Sequence, residues 1–175
     1  MNEDSDETLM LAYAQGDVTA FETLYGRYRQ PLYGYFFRHV SDEPTANDLY
    51  QGCWEKVIKG RARFRESAPF RAWLFHIAHN HLVDHYRADR GTTSLPDDLA
   101  DGEQREPPDA VDEADRLAAF RIALAALPAE QREALSLRLD AGLSQAEVAQ
   151  VTGVGKETVK SRLRYGIRKL RETLP

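Results

Sequence analysis

Between Thr92 and Arg116 the chain carries nine acids against two bases, with Pro96, Gly102, Pro107 and Pro108 inside the stretch and Gly91 at its entrance. A segment so charged and so poor in apolar side chains cannot bury enough surface to offset its ordering entropy. It reads as a flexible acidic linker, and it divides the 175 residues into two folding units, 1–91 and 117–175. Each unit is small, so a large multidomain enzyme is excluded. The only cysteine is Cys53, so no internal disulfide can brace either unit, which fits a reducing compartment. No apolar run approaches the roughly 18 residues that span a bilayer. The opening residues include Glu3, Asp4, Asp6 and Glu7 with no base before Arg27, the reverse of a secretory leader. These features point to a cytoplasmic protein with no direct membrane insertion.

The net charge of −5 is an average over unlike parts. The first unit has 11 bases and 13 acids, the second 10 bases and 6 acids, and the last 21 residues hold seven bases and two acids. A basic terminal patch on an acidic chain is compatible with nucleic acid, although a solvated helix face has the same composition.

Both units read as helical, and the fold class expected is all-α. Sustained period-two alternation is missing, and the Asp101-Gly102 dipeptide falls in the acidic segment with no apolar strand pattern beside it. A first helix is expected from about Asp6 to Gln15, stopping at Gly16. Asp17 can cap a second, with Phe21, Leu24, Tyr25, Tyr28 and Leu32 on one face and a kink at Pro31. A third, starting at Pro44, places Ala46, Leu49, Tyr50, Cys53, Trp54, Val57 and Ile58 on a buried stripe. Its outer face carries Asp48, Gln51, Glu55 and Lys59. An arginine-rich loop, 60–69, precedes a fourth helix from Phe70 to about Arg90 with two apolar stripes, Phe70, Trp73, Leu74, Ile77, Ala78 and Arg71, Phe75, His79, Leu82, Tyr86. A helix apolar on two faces must pack on both sides or keep one for a partner. Beyond the linker, Leu117, Phe120, Leu124 and Leu127 mark a fifth helix, and Pro128 opens a sixth that reaches Ala141.

Ser144 and Glu147 form a capping-box pattern ahead of Val148, Ala149 and Val151; Gly153 then breaks the helix and another begins near Gly155. Small Ala149, the turn at Gly153 and inward Val159 describe a helix-turn-helix. Its second helix projects Lys156, Glu157, Lys160, Ser161, Arg162 and Arg164, many of which can reach phosphates or base edges from a major groove.

Other chemistries fit less well. His76, His79, His81 and His85 crowd one helix, and the pair four apart at 81 and 85 suggests zinc, but spacing supplies no third ligand. Hydrogen-bonding histidines are the simpler account. No nucleophile elbow or phosphate-cradling glycine loop is present, and Cys53 sits on the buried stripe as a core residue. A stand-alone helix-turn-helix repressor stays open as a different kind of DNA binder.

Several motifs in sequence order resemble the extracytoplasmic-function sigma factors of bacterial RNA polymerase, within the sigma-70 family. Gly16-Asp17, Ala20-Phe21 and Leu24-Tyr25 are similar to the family's opening helices. Ala46-Asn-Asp48-Leu49-Tyr-Gln51 resembles its polymerase-docking motif. Phe70-Arg71-Ala72-Trp73-Leu74, Ile77-Ala78-His-Asn80 and Asp84-His85-Tyr-Arg87 resemble its promoter-melting helix. Leu127-Pro128 through Arg132, Gly142-Leu143-Ser144 and Thr158 through Arg162 are similar to its second DNA-binding domain.

The resemblance implies a non-enzyme with no metal, cofactor or catalytic residue, a promoter-recognition subunit. It implies docking on core RNA polymerase, the clamp of the largest subunit and the flap of the second, through Asp48, Leu49, Gln51 and Glu55. Gly52 departs from the family pattern, where an acid is common. Phe64, Arg65, Ser67, Arg71, Trp73, Asn80, Asp84 and Arg87 are implied to hold the minus-ten element, the aromatics and donors compensating a base taken out of the duplex; Trp73 as plain core is the competing reading. Ser144, Lys156, Glu157, Thr158, Lys160, Ser161, Arg162 and Arg164 are implied to read the minus-thirty-five element. Gly155 replaces the usual serine cap, at a cost of a few tenths of a kcal/mol. An anti-sigma partner, often membrane-anchored, is implied as well. The linker, about 25 to 30 Å across as a free coil, is expected to be held extended on polymerase or to act as a passive tether.

Overall fold

The computed structural model describes residues 3–40, 42–90 and 113–174, and among them every regular element is helical. The first half holds α1 (Asp6–Ala14), α2 (Val18–His39), α3 (Glu43–Gly60), a 3-10 turn (Arg61–Arg63) and α4 (Phe70–Arg90). Short polar residues start these helices as the sequence leads one to expect. Ser5, Asp17 and Asp42 accept hydrogen bonds from the backbone amides of Thr8, Ala20 and Thr45. Asp42 as cap puts the start of α3 one residue ahead of Pro44, which fits inside the first turn because its missing N–H has no partner to lose there. Gly16 sits at φ 104°, a conformation open to glycine and costly for other residues, and turns the chain between α1 and α2. α2 continues through Pro31 as one element.

α1 also serves α4. Glu7 Oε1 accepts from the backbone N–H of Phe70 at 2.7 Å, so the orphan donor at the start of α4 is satisfied by a side chain 63 residues away. Leu24, Leu32 and Phe36 of α2, Leu49, Cys53 and Val57 of α3, and Phe70, Leu74 and Ala78 of α4 make the core of this half. Burial pushes the Cys53 thiol up to about 12, which leaves it an inert apolar group.

The second half holds α5 (Glu113–Ala125), α6 (Ala129–Leu139), α7 (Gln145–Thr152) and α8 (Lys156–Thr173). Residues 92–112 of the linker lie outside the described residues, and α5 begins at Glu113, ahead of the expected linker end at Arg116. Glu113 and Asp115 occupy the first turn, where negative charge meets the positive end of the helix dipole. Leu127 falls after α5, in the connection, where its side chain is buried. Pro128 caps α6 from just outside, and α6 stops at Leu139, short of Ala141.

The two halves pack together, which the linker reading did not predict. α7 lies on α4, and α5 and α6 lie on α2. On the second apolar stripe of α4, Phe75, Leu82 and Tyr86 are buried, Phe75 edge-on to Tyr35 of α2 and Tyr86 donating to the carbonyl of His39.

Candidate functional site

Three polar surfaces and one buried polar cluster stand out. On α3, Asp48, Gln51 and Glu55 are exposed along one face, and Leu49 is turned inward at 4% exposure, supporting that face from beneath.

The second surface surrounds the start of α4. Phe64 is 3% exposed, its ring edge-on to Phe70 and Trp73 at centroid distances of 6.0 and 5.4 Å. Phe64 is expected from sequence among the aromatics that hold the minus-ten element, but its ring is buried in the core against Phe70 and Trp73 and is not open to stack on a base. Trp73 is half-buried, between the two readings the sequence left open. Arg65, Ser67, Arg71, Asn80, Asp84 and Arg87 are exposed. Arg65 donates to the carbonyls of Ala62 and Phe64, which fixes the loop. The Asn80 amide meets His76 Nε2 at 3.2 Å, and Asp84 lies 3.9 Å from Lys56. Lys56, Lys59, Arg63, Trp73, Ile77 and Asn80 line a shallow basic depression of about 410 Å³ between α3 and α4.

The third surface is the helix-turn-helix. The capping box is complete: Ser144 Oγ accepts from the Glu147 N–H at 3.1 Å, and Glu147 Oε2 accepts from the Ser144 N–H at 2.7 Å. Gly153 adopts φ 72° at the turn. Gly155 stands at the start of α8 with no side-chain cap bond. Val159 and Leu163 are buried, and Lys156, Glu157, Thr158, Lys160 and Arg164 project outward. Arg162 is held back, its guanidinium 3.2 Å from Glu130 on α6, and Ser161 is half-buried.

The buried cluster joins the two halves and was missed from sequence. Glu133 on α6 is 2% exposed. Its Oε1 accepts from Tyr35 OH of α2 at 2.8 Å and meets His79 Nδ1 of α4 at 2.5 Å. Burial pushes the carboxyl up, but the hydrogen bonds from His79 and Tyr35 and the adjacent imidazoles outweigh it, and its pKa is lowered. Burial beside that carboxylate drives the Tyr35 phenol well above its ordinary value. Burial also lowers His39 to about 4, so this ring is neutral. Arg132 donates to the carbonyls of Arg38 and Leu127, and Arg38 pairs with Asp140. Arg71 of α4 approaches Glu147 at 3.7 Å. A Glu and a Tyr 98 residues apart carry no local periodicity that could announce their meeting.

Among the described residues no group of three or more His, Cys, Asp or Glu side chains could hold a metal ion, and no helix is long and apolar enough to cross a membrane. His85 instead faces Asp89 at 3.6 Å. A cleft of about 1070 Å³ opens between α2 and α5 and α6, with Tyr33, Phe37 and Leu139 on its walls and Arg29 and Arg121 among its lining.

Comparison with known proteins decides the family. Residues 24–92 match Sigma-70 region 2, and residues 123–172 match Sigma-70, region 4. The ECF RNA polymerase sigma factor SigL of Mycobacterium tuberculosis is 34% identical over 169 residues, covering 92% of each chain. The chain belongs to the ECF sigma factors. Two solved structures share its fold. One is CnrH in complex with the cytosolic domain of CnrY, with TM-score 0.70 and 27% identity over 97% of this chain and 96% of that one. The other is the sigma factor RpoE with the anti-sigma factor NepR from Bartonella quintana, with TM-score 0.67 and 25% identity over 87% and 95%. This sigma factor is therefore a transcription initiation factor that directs core RNA polymerase to promoters, and it is not an enzyme.

Proposed function

We propose that this sigma factor divides its work among the three surfaces and acts in the cytoplasm as two recognition units, 1–91 and 117–175, joined through the acidic segment. The outer face of α3, with Asp48, Gln51 and Glu55 seated over Leu49, docks on core polymerase at the clamp of its largest subunit, and the second unit meets the flap of the second subunit. The start of α4 holds the melted minus-ten element: Arg71 and Arg87 meet phosphates, Asn80 and Asp84 meet base edges, Trp73 offers its accessible part for stacking, and Arg65 and Ser67 border the pocket over buried Phe64. α8 reads the minus-thirty-five element in the major groove with Lys156, Glu157, Thr158, Lys160, Ser161, Arg162 and Arg164, and Ser144 braces the helix before it.

The observation that carries this reading is the sidedness of α8, whose bases project from a helix that buries Val159 and Leu163. Lys160→Ala is expected to weaken minus-thirty-five binding by about 1 to 3 kcal/mol if it reads a base, or to reduce the salt slope by about one if it meets a phosphate. Core association should not change. Asp48→Ala should do the reverse. Run-off transcription with purified core polymerase and a library of upstream regions tests the whole assignment; tight specific duplex binding without core polymerase would favour a repressor instead.

An anti-sigma factor is the second partner of this reading. The cleft between the halves presents exposed Phe37 and Leu139 with Arg29 and Arg121, a lining suited to an amphipathic acidic segment. Phe37→Asp should abolish inhibition by such a segment and leave core binding intact.

A further inference from the structure

Gly52 lies in the middle of α3, where glycine weakens a helix. Its surroundings explain it. A Cβ at position 52 would stand 2.6 Å from Nε2 and 3.1 Å from Cε1 of His81, so the imidazole from α4 fills the space that any side chain at 52 would need. Positions 48, 51, 52 and 55 share one face of a helix. His81 therefore stands over Gly52 at the edge of the polar face of α3, with Glu55 among its charged neighbours.

The ring is held there and remains reachable. Phe36 packs against it edge-on at a centroid distance of 6.2 Å, and the side chain is partly exposed. Among the described residues its nitrogens take no hydrogen bond. The groups that face it are Glu55 and Lys56 from α3 and Asp84 and His85 from α4. Burial and the Lys56 charge lower its pKa, so it is a neutral imidazole with one nitrogen free to accept and the other to donate.

We propose that His81 is a contact residue for core polymerase, completing with Asp48, Gln51 and Glu55 a docking face built from two helices. The two carboxylates suit a basic partner segment, and the imidazole lone pair adds an acceptor for an arginine or lysine donor at their edge. The inference rests on the assignment of α3 as the docking surface. It adds a residue from the element that otherwise serves the promoter.

The test uses the full chain and core polymerase, with association followed by fluorescence titration and folding by thermal melting. His81→Ala should weaken association about five- to twenty-fold, the effect of one buried interfacial hydrogen bond. His81→Gln, which restores a polar group at similar reach, should recover most of the loss, whereas His81→Phe, which keeps the packing without the polarity, should not. Gly52→Ala should displace the ring and match His81→Ala, and the double variant should be no weaker than either single one. If His81→Ala lowers stability, the Gln and Phe variants decide, because both fill the space. Wild-type association of His81→Ala and His81→Phe would overturn the proposal while a weakened Asp48→Ala left α3 docking intact; wild-type association of Asp48→Ala as well would remove the docking assignment itself. Loss of promoter melting with normal association would also overturn it, giving the ring to DNA.

Discussion

At the scale of single residues, the unusual chemistry is in the seam between the halves. His39 is enclosed, and burial lowers it to about 4. In the unfolded chain the same imidazole binds a proton near its ordinary 6.5. Between those values the unfolded state holds a proton that the folded state refuses, so stability falls as pH falls from about 6.5 to about 4. The full swing is at most about 3 kcal/mol. Glu133 does not oppose this: its lowered pKa gives a contribution present above the ordinary carboxylate range and lost only at lower pH. The urea midpoint should be lower at pH 5 than at pH 7, and His39→Phe should flatten that slope. Glu133→Ala would strand Tyr35 OH and His79 in a closed interior, and a loss of about 3 kcal/mol in urea unfolding is expected, as for a broken buried pair.

At the scale of elements, two glycines control how the helix-turn-helix closes. Gly153 holds φ 72° between α7 and α8, and alanine there should cost about 1 to 2 kcal/mol because its Cβ crowds the backbone in that conformation. Gly166 lets α8 lie against α6, where an added Cβ would stand 2.8 Å from Leu135 Cδ1. Gly166→Ala should lower stability by about 1 to 3 kcal/mol, read from thermal melting of the full chain. Gly153 was legible in sequence, since a capping box on one side and an inward valine on the other leave little but a turn between them. Gly166 was not, because a glycine in a basic amphipathic run gives no sign of what approaches it. The same contrast runs through the candidate surfaces. The outer face of α3 and the projecting bases of α8 follow from helical periodicity alone. Burial of Phe64, retention of Arg162 by Glu130 and the place of His81 over Gly52 depend on neighbours from distant parts of the chain.

At the scale of the whole molecule, charge partition suggested two units and gave no sign that the two halves pack together. The second stripe of α4 required a cover, and α2 supplies part of it, with Tyr35 against Phe75 and the His39 carbonyl accepting from Tyr86. The second half adds α7, which lies on α4, and Glu133 of α6, which meets His79 and Tyr35, with the Arg38 to Asp140 pair alongside. Wild-type chain should therefore unfold in one cooperative calorimetric transition, because separating the halves exposes apolar surface on both. Glu133→Ala should split it into two, and two transitions already present in the wild type would show that the seam contributes little.

The Glu133 seam also constrains how this chain can drift over generations. Tyr35, His79 and Glu133 lie on three helices yet share one carboxylate oxygen, so replacing Glu133 orphans the other two, and replacing either of them takes a donor from a buried carboxylate. Substitutions at these positions should arrive together in descendants that keep the packing, for example as a wholly apolar triplet, and covariation among the three columns would record the seam in sequences alone.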